Sequence, residues 1–334
     1  MASIEDVAKA AGVSKALVSR YLNNKSGVSE KNRARIAEAI GLLNYRRNDI
    51  ARSLVQQKTG ALGIILDSIC QVFIFDLVRG LEIGGRENNY KVIFCDCLAD
   101  PGVKLSYIDY LSHNRVDGLI MYGSFLTDND IVAGLSRSRF PFLMIENNVP
   151  GLATNKVLID NMDASKRLVS YLYGKGYKDI RMVCWGMTTF AGRERCEGFK
   201  QGMAECGLAL TEKSIYFNNP PYQKHEPFEI MNKLIDEGDL PEAIFFGADE
   251  LAYAAIKICR QRGVQIPGDV AIVGFDNESY FGNDILMPKL TTMAQPLYEV
   301  GKSAIQLLAE AIAKPEMPPR TVIFPAKLLI GETA

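Results

Sequence analysis

Residues 3–36 read SIEDVAKAAGVSKALVSRYLNNKSGVSEKNRARI, and three short helices can be written into them before anything else in the chain is consulted. Ser3 with Asp6 three positions on is a pair that can satisfy the free amides opening a helix. The spacing then predicts a first helix over Ile4–Ala11, with Ile4, Val7, Ala8 and Ala11 on one face and Gly12 as the permissive residue at which the chain turns. Ser14 caps a second helix whose inward set is Leu17, Val18, Tyr21 and Leu22. Lys15, Ala16, Ser19, Arg20 and Asn23 are left facing outward or to the flanks. A third helix starts after Ser29, and Ile36, Ala39, Ile40 and Leu43 close a mini-core that all three share. A helix of this size fits the major groove of B-form DNA, with residues near its N-terminus reaching base edges. Lys15 and Ala16 stand at that end.

Just beyond lies NYRRNDIARSL, residues 44–54, patterned as a helix around Ile50, Ala51 and Leu54 but too short to be stable alone. Such a segment folds on a partner. Charge is divided in the same way as pattern: residues 1–58 hold 11 Lys plus Arg against 5 Asp plus Glu, whereas the other 276 residues hold 27 against 34. A basic head on an acidic body directs phosphate binding to one end and makes it salt dependent.

The two quoted stretches resemble the LacI/GalR family of bacterial transcriptional regulators. The resemblance continues through VRGLE (78–82), RVDGLIM (115–121), RERCEGF (193–199), VAIVGFDN (270–277) and LTTMAQP (290–296), so it covers nearly the whole chain. It implies a helix-turn-helix head reading half of a near-palindromic operator, with hinge helices of two subunits paired in the minor groove. Leu54 occupies the place of the leucine that wedges between central base pairs, where unstacking is exchanged for a bent, wider contact. The implied DNA-contacting set is Ser3, Ser14, Lys15, Ala16, Ser19, Arg20, Asn23, Asn48, Ala51 and Leu54. One departure is Arg47, where the family usually has proline.

From residue 61 short apolar runs alternate with amphipathic stretches. Ala61–Leu66, Lys91–Asp96, Gly118–Tyr122 and Phe142–Ile145 read as strands; the pattern then restarts with Arg181–Trp185, Ser214–Phe217, Ala243–Gly247 and Ala271–Phe275. Helices such as Ala164–Gly174 and Arg195–Cys206 separate them. Two βαβ series mean two doubly wound parallel sheets, with ligand sites beyond the carboxyl ends of their strands. The expected fold is therefore an all-α helix-turn-helix head plus an α/β two-lobe core, which the resemblance describes as similar to periplasmic sugar-binding proteins. It also implies three crossings between the lobes, near Ile159–Asn161, Leu290–Thr292 and Ile323–Pro325. The resulting division is a head over 1–46, a hinge and linker over 47–59, a first lobe from 60–159 with 291–322, and a second from 160–290 with 323–334.

By the same resemblance Arg195 matches an arginine that bonds the effector, and Asp276 an aspartate that accepts from ligand hydroxyls or ring nitrogens. A buried arginine offers a rigid fan of donors and a carboxylate accepts from sugar hydroxyls. An interlobe ion pair without a ligand is the competing reading. Phe73, Glu146, Trp185, Phe190 and Asp249 are further effector candidates, the aromatic ones suiting the C–H face of a sugar or a flat base but equally fit for core packing. Ala248 replaces a common asparagine, and QVFI at 71–74 replaces a frequent NPFF.

The remaining features exclude other classes. There are only two histidines, His113 and His225, and seven scattered cysteines, including Cys95 and Cys97, without a histidine cluster. Neither a zinc site nor a disulfide framework is expected, nor any cofactor. No phosphate-binding loop, GxGxxG after the first strand or GxSxG elbow appears, so no enzyme is expected. The absence of a charged-then-apolar leader and of any apolar run near the roughly 20 residues needed for a membrane helix points to the cytoplasm and away from a membrane. Because one recognition helix reads only a half-site, a homodimer is expected, and no leucine heptads for a tetramer follow the last strand. The expected partners are operator DNA and a small effector, with a sugar that induces favoured over a purine-type corepressor. A core answering to a protein partner, as in catabolite control, stays open; a solute-binding protein is the remote alternative.

Overall fold

In the computed structural model the described residues are 2–23, 25–45, 58–70, 74–123, 129–185, 187–218, 226–277 and 287–334. The chain forms two units, Met1–Thr59 and Gly60–Ala334.

The first unit contains α1 (Ile4–Ala11), α2 (Lys15–Leu22) and α3 (Glu30–Leu42). Each starts on a serine whose hydroxyl accepts from a backbone amide: Ser3 from Asp6 at 3.2 Å, Ser14 from Leu17 at 3.2 Å, and Ser29 from Asn32 at 3.4 Å. At α1 the capping box is complete, since Asp6 Oδ2 accepts from the Ser3 amide at 2.8 Å; it also accepts from the Ser3 hydroxyl at 2.8 Å, and these two bonds to its carboxylate hold Asp6 below its usual range. Gly12 ends α1 in the left-handed region at φ +62°. Val7, Ala11, Val18, Ile36 and Ala39 form the buried centre, with Leu17, Tyr21, Leu22, Ile40 and Leu43 packed half-buried around it.

The second unit runs β1 (Ala61–Leu66), α4 (Phe75–Glu87), β2 (Lys91–Asp96), α5 (Pro101–Ser112), β3 (Gly118–Tyr122), α6 (Asn129–Arg137), β4 (Phe142–Ile145), β5 (Asn155–Ile159) and α7 (Asn161–Gly174). It continues with β6 (Ile180–Trp185), α8 (Phe190–Glu205), β7 (Ile215–Asn218), α9 (Glu226–Asp236), β8 (Ala243–Phe246), α10 (Asp249–Arg262) and β9 (Ala271–Asp276). Last come β10 (Thr291–Ala294), α11 (Leu297–Ala313), β11 (Thr321–Phe324) and β12 (Lys327–Leu329). The strands form two six-stranded sheets, ordered β11-β5-β4-β3-β1-β2 and β12-β10-β9-β8-β6-β7. Both are parallel except that β12 runs antiparallel to β10. β1, β3, β8 and β9 are buried throughout, as befits strands covered on both faces.

In each lobe one helix pair meets backbone to backbone. A Cβ on Gly80 of α4 would stand 2.2 Å from the Tyr298 carbonyl oxygen of α11, and one on Gly198 of α8 would stand 2.3 Å from the Met162 carbonyl oxygen of α7. Side chains at these positions would push the helices apart, so glycine sets the approach distance. A single apolar cluster continues through both lobes, from Leu62 and Leu77 to Phe199 and Phe275.

The crossings differ from expectation in two places. Thr291–Ala294 pairs with β9 and β12 and so belongs to the second sheet, which moves the second crossing past Leu290–Thr292 to Gln295 and Pro296. Ile323 and Phe324 pair with Leu158 and Ile159, so the third crossing falls between Phe324 and Lys327 and the first lobe extends beyond residue 322. In both cases the strand pairing persists further than the resemblance implies. β5 was not expected as a strand at all.

Candidate functional site

On the head, the residues of α2 divide by what holds them. Lys15, Ala16 and Arg20 are exposed, and Lys15 Nζ reaches Glu5 Oε1 of α1 at 2.6 Å in a pair open to solvent. Ser19 is half-buried and Asn23 donates its side-chain amide to the Ser19 carbonyl at 2.7 Å, which finishes the helix. Ser3 and Ser14 are caps. Asn48, Ala51 and Leu54 lie outside the described residues, as does Phe73.

In the core, the strand ends bring together residues from both lobes. Arg195, on α8, is buried, and each of its three nitrogens has an acceptor. Nε donates to Asn161 Oδ1 at 2.9 Å, Nη1 to the Gly247 carbonyl at 2.6 Å, and Nη2 faces Asp276 Oδ1 at 3.1 Å. Its guanidinium lies 3.8 Å from the centroid of the Phe275 ring, a cation–π contact that fixes its plane. Asp276 closes β9 and also accepts from the Gln295 side-chain amide.

Glu146 approaches from the first lobe, immediately after β4. Its Oε1 accepts from the Ile159 amide at 2.5 Å and its Oε2 from Asn161 Nδ2 at 2.7 Å. Asn161, the first residue of α7 and fully buried, therefore bridges Glu146 of one lobe to Arg195 of the other. Burial pushes both carboxyls up to about 6, against the lowering effect of their donors. The buried Tyr122 hydroxyl, at the end of β3, is raised by burial and then by the charges of these same carboxylates.

The backbone at both acids is unusual. Glu146 has φ +53° and Asp276 φ +117°, conformations that side-chain-bearing residues adopt at a cost of roughly 1–3 kcal/mol and that gather at functional sites. The chain bears this cost at matching places in the two lobes, one residue past β4 and at the last residue of β9.

The other candidates are placed differently. Phe190 opens α8 half-buried, and Trp185 ends β6, its backbone paired with Asn218. Asp249 is buried at the start of α10, accepts from Thr292 Oγ1 at 2.6 Å, and fits only because Gly274 has no side chain; a Cβ there would stand 2.1 Å from Asp249 Oδ1. It ties β10 to the second sheet. Asn161, Gln295 and Tyr122 were not singled out in the sequence. Their signals are faint: Asn161 lies at the end of the first crossing, and Gln295 sits inside LTTMAQP.

Comparison with known proteins decides the affiliation. The family description "Bacterial regulatory proteins, lacI family" matches residues 3–48, and "Periplasmic binding protein-like domain" matches residues 169–334. The HTH-type transcriptional regulator RegA of Clostridium acetobutylicum is 35% identical over 319 residues, covering 94% of this chain and 94% of that protein. The chain belongs to the LacI family of bacterial regulators. It is a DNA-binding transcriptional regulator with an effector-binding core, in a family that is not enzymatic. Among solved structures, the lac repressor dimer bound to operator and the anti-inducer ONPF has a TM-score of 0.87 at 21% identity, with 99% of this chain and 98% of that one covered. A complex of the transcriptional regulator CelR with cellobiose has a TM-score of 0.76 at 22% identity, with both chains fully covered. At these identities the likeness speaks for the fold, a helical head on a two-lobe core. In this LacI-family regulator no helix among the described residues is long and apolar enough to cross a membrane.

Proposed function

We propose that this regulator is a repressor that binds a near-palindromic operator as a homodimer, and that a sugar held between its lobes releases it. The observation that carries the effector half is the buried set of Arg195, Asp276 and Glu146. It supplies a rigid fan of donors and two acceptors at the carboxyl ends of strands, drawn from both lobes, where open α/β sheets bind ligands. A sugar hydroxyl both donates and accepts, so it complements either kind of group. The cellobiose complex of a protein with the same fold supports this chemistry. Trp185, Phe190 and Phe73 are assigned to the apolar faces of the ligand, and Asp249 to holding β10 in place.

The DNA half rests on the exposed end of α2. Lys15 and Ala16 are assigned to base edges, Arg20 to phosphate, and Asn48, Ala51 and Leu54 to the minor groove. A dimer follows because one head reads only half a site, and the operator-bound lac repressor dimer supports that arrangement. If a ligand favours one lobe arrangement over another, it changes operator affinity by the coupling energy, typically ~1–3 kcal/mol.

The experiment is selection of bound duplexes from a random DNA pool with the purified protein, followed by competition with a panel of sugars. Enrichment of a two-fold symmetric sequence and its release by one sugar is the expected result. An enriched sequence without symmetry would remove the dimer, and release by no sugar would remove the sugar effector.

A further inference from the structure

The charges at the interlobe site do not balance. Glu146 and Asp276 are both buried, one from each lobe, and the cation Arg195 pairs with Asp276 alone of the two. Asp276 already neutralises that arginine, whose other bonded nitrogens point at the Asn161 oxygen and the Gly247 carbonyl. Glu146 is held by neutral donors, the Ile159 amide and Asn161. The three ionisable groups therefore carry one net negative charge when both acids are ionised.

A second cation at the strand ends of the first lobe is itself occupied. Lys104, on α5 and 4% exposed, sits 2.7 Å from Asp67, which follows β1.

We propose that the interlobe site takes an effector without negative charge, a neutral polyhydroxy compound, and discriminates against its phosphorylated and carboxylated counterparts. This deepens the sugar reading and rests on it. A hydroxyl group can donate to Asp276 in place of Gln295 and accept from the remaining guanidinium N–H groups. A phosphate or carboxylate would instead add a like charge beside buried acids, where repulsion is poorly screened. It can enter only if one of those acids takes up a proton. At pH 8 that requirement weakens binding by more than about ten-fold, because the acids are fully ionised before the ligand arrives.

The test uses the purified full chain at pH 8. Its melting midpoint is titrated with D-glucose, D-ribose and cellobiose, and in parallel with glucose 6-phosphate, ribose 5-phosphate, glucuronate and inorganic phosphate, since a native-state ligand raises the midpoint by mass action. The expected result is a saturable rise with a neutral sugar and a more than ten-fold higher half-saturating concentration for its anionic partner. In Glu146→Gln, which keeps the acceptor for the Ile159 amide but loses the charge, the gap narrows. An anionic sugar that binds as tightly as its neutral partner overturns the charge rule and leaves the sugar reading intact. If no sugar of either kind shifts the midpoint, the sugar reading fails. The charge rule is then decided by adenosine against adenosine 5′-monophosphate, and a nucleotide preference, or no shift from either, overturns it. A saturable rise with inorganic phosphate that disappears in Arg195→Gln overturns it as well.

Discussion

Gln295 donates its side-chain amide to Asp276 Oδ1, the same oxygen that Arg195 faces at 3.1 Å. Gln295 stands in the crossing from β10 to α11, so the acceptor assigned to the effector is tied to a segment that joins the lobes. A ligand hydroxyl that claims Asp276 must displace this amide. Replacing Gln295 by alanine removes the competitor, and we expect tighter effector binding, by roughly three- to ten-fold for one hydrogen bond of about 1 kcal/mol. The same variant should transmit less of that binding to the crossing. Calorimetric titration gives the first quantity and the shift in operator affinity at saturating effector gives the second. Unchanged affinity together with unchanged coupling would sink this role.

Arg195 is structural as well as a candidate ligand contact. Arg195→Ala would leave two buried carboxylates without their cation, a change that typically costs about 3–5 kcal/mol. The expected outcome is a lower melting midpoint of the core together with loss of the effector response. Adding Glu146→Gln and Asp276→Asn to the alanine variant removes the stranded charge and should recover much of the midpoint, but not the response. Recovery of both would show that the arginine does not bind the effector.

Stability should also depend on pH in a particular direction. Burial raises both Glu146 and Asp276 to about 6 in the folded protein, above the ~4 of an unfolded chain. Between those values the folded state holds more protons than the unfolded one, so stability from these groups is complete below about pH 4 and is lost as the pH rises through 6. The core should melt higher at pH 5.5 than at pH 7.5, with each group contributing up to about 1.4 kcal/mol per pH unit inside that window. Glu242 and Glu310, held below their usual range by the donors that bond them, act in the opposite sense. In Glu146→Gln the slope of midpoint against pH should be shallower; an identical slope would mean that Glu146 does not titrate there.

Much of this architecture was legible because the signals are local. A serine ahead of each head helix accepts a bond from three residues on, and fully buried strands such as β1 and β9 appear as unbroken apolar runs. β5 escaped because Asn155 and Lys156 precede only three apolar residues. The resemblance implies the second crossing too early, because Thr291 and Thr292 are buried in β10 and Thr292 is bound to Asp249. At the site, Arg195, Asp276 and Glu146 could be found from pattern and resemblance. Asn161 and Gln295 could not, since an amide becomes part of the site only when separate crossings deliver it to a charged partner.

The head offers a separation of roles that can be measured. Lys15 and Ala16 open α2, and Lys15 is held by Glu5 in an exposed pair at 2.6 Å that contributes little to stability and can be exchanged for a base or phosphate. Arg20 is exposed in the last turn of the same helix. Lys15→Ala is expected to relax the preference at one or two operator positions by about 1–3 kcal/mol, whereas Arg20→Ala should weaken binding to all sequences alike and reduce the salt dependence by about one counterion. Affinities for a set of singly substituted operators at several salt concentrations distinguish the two. Loss of discrimination from Arg20→Ala with a uniform loss from Lys15→Ala would reverse the assignments. Ser29→Ala serves as the control for folding: it removes the α3 cap and should cost about 1 kcal/mol of head stability without changing which bases are preferred.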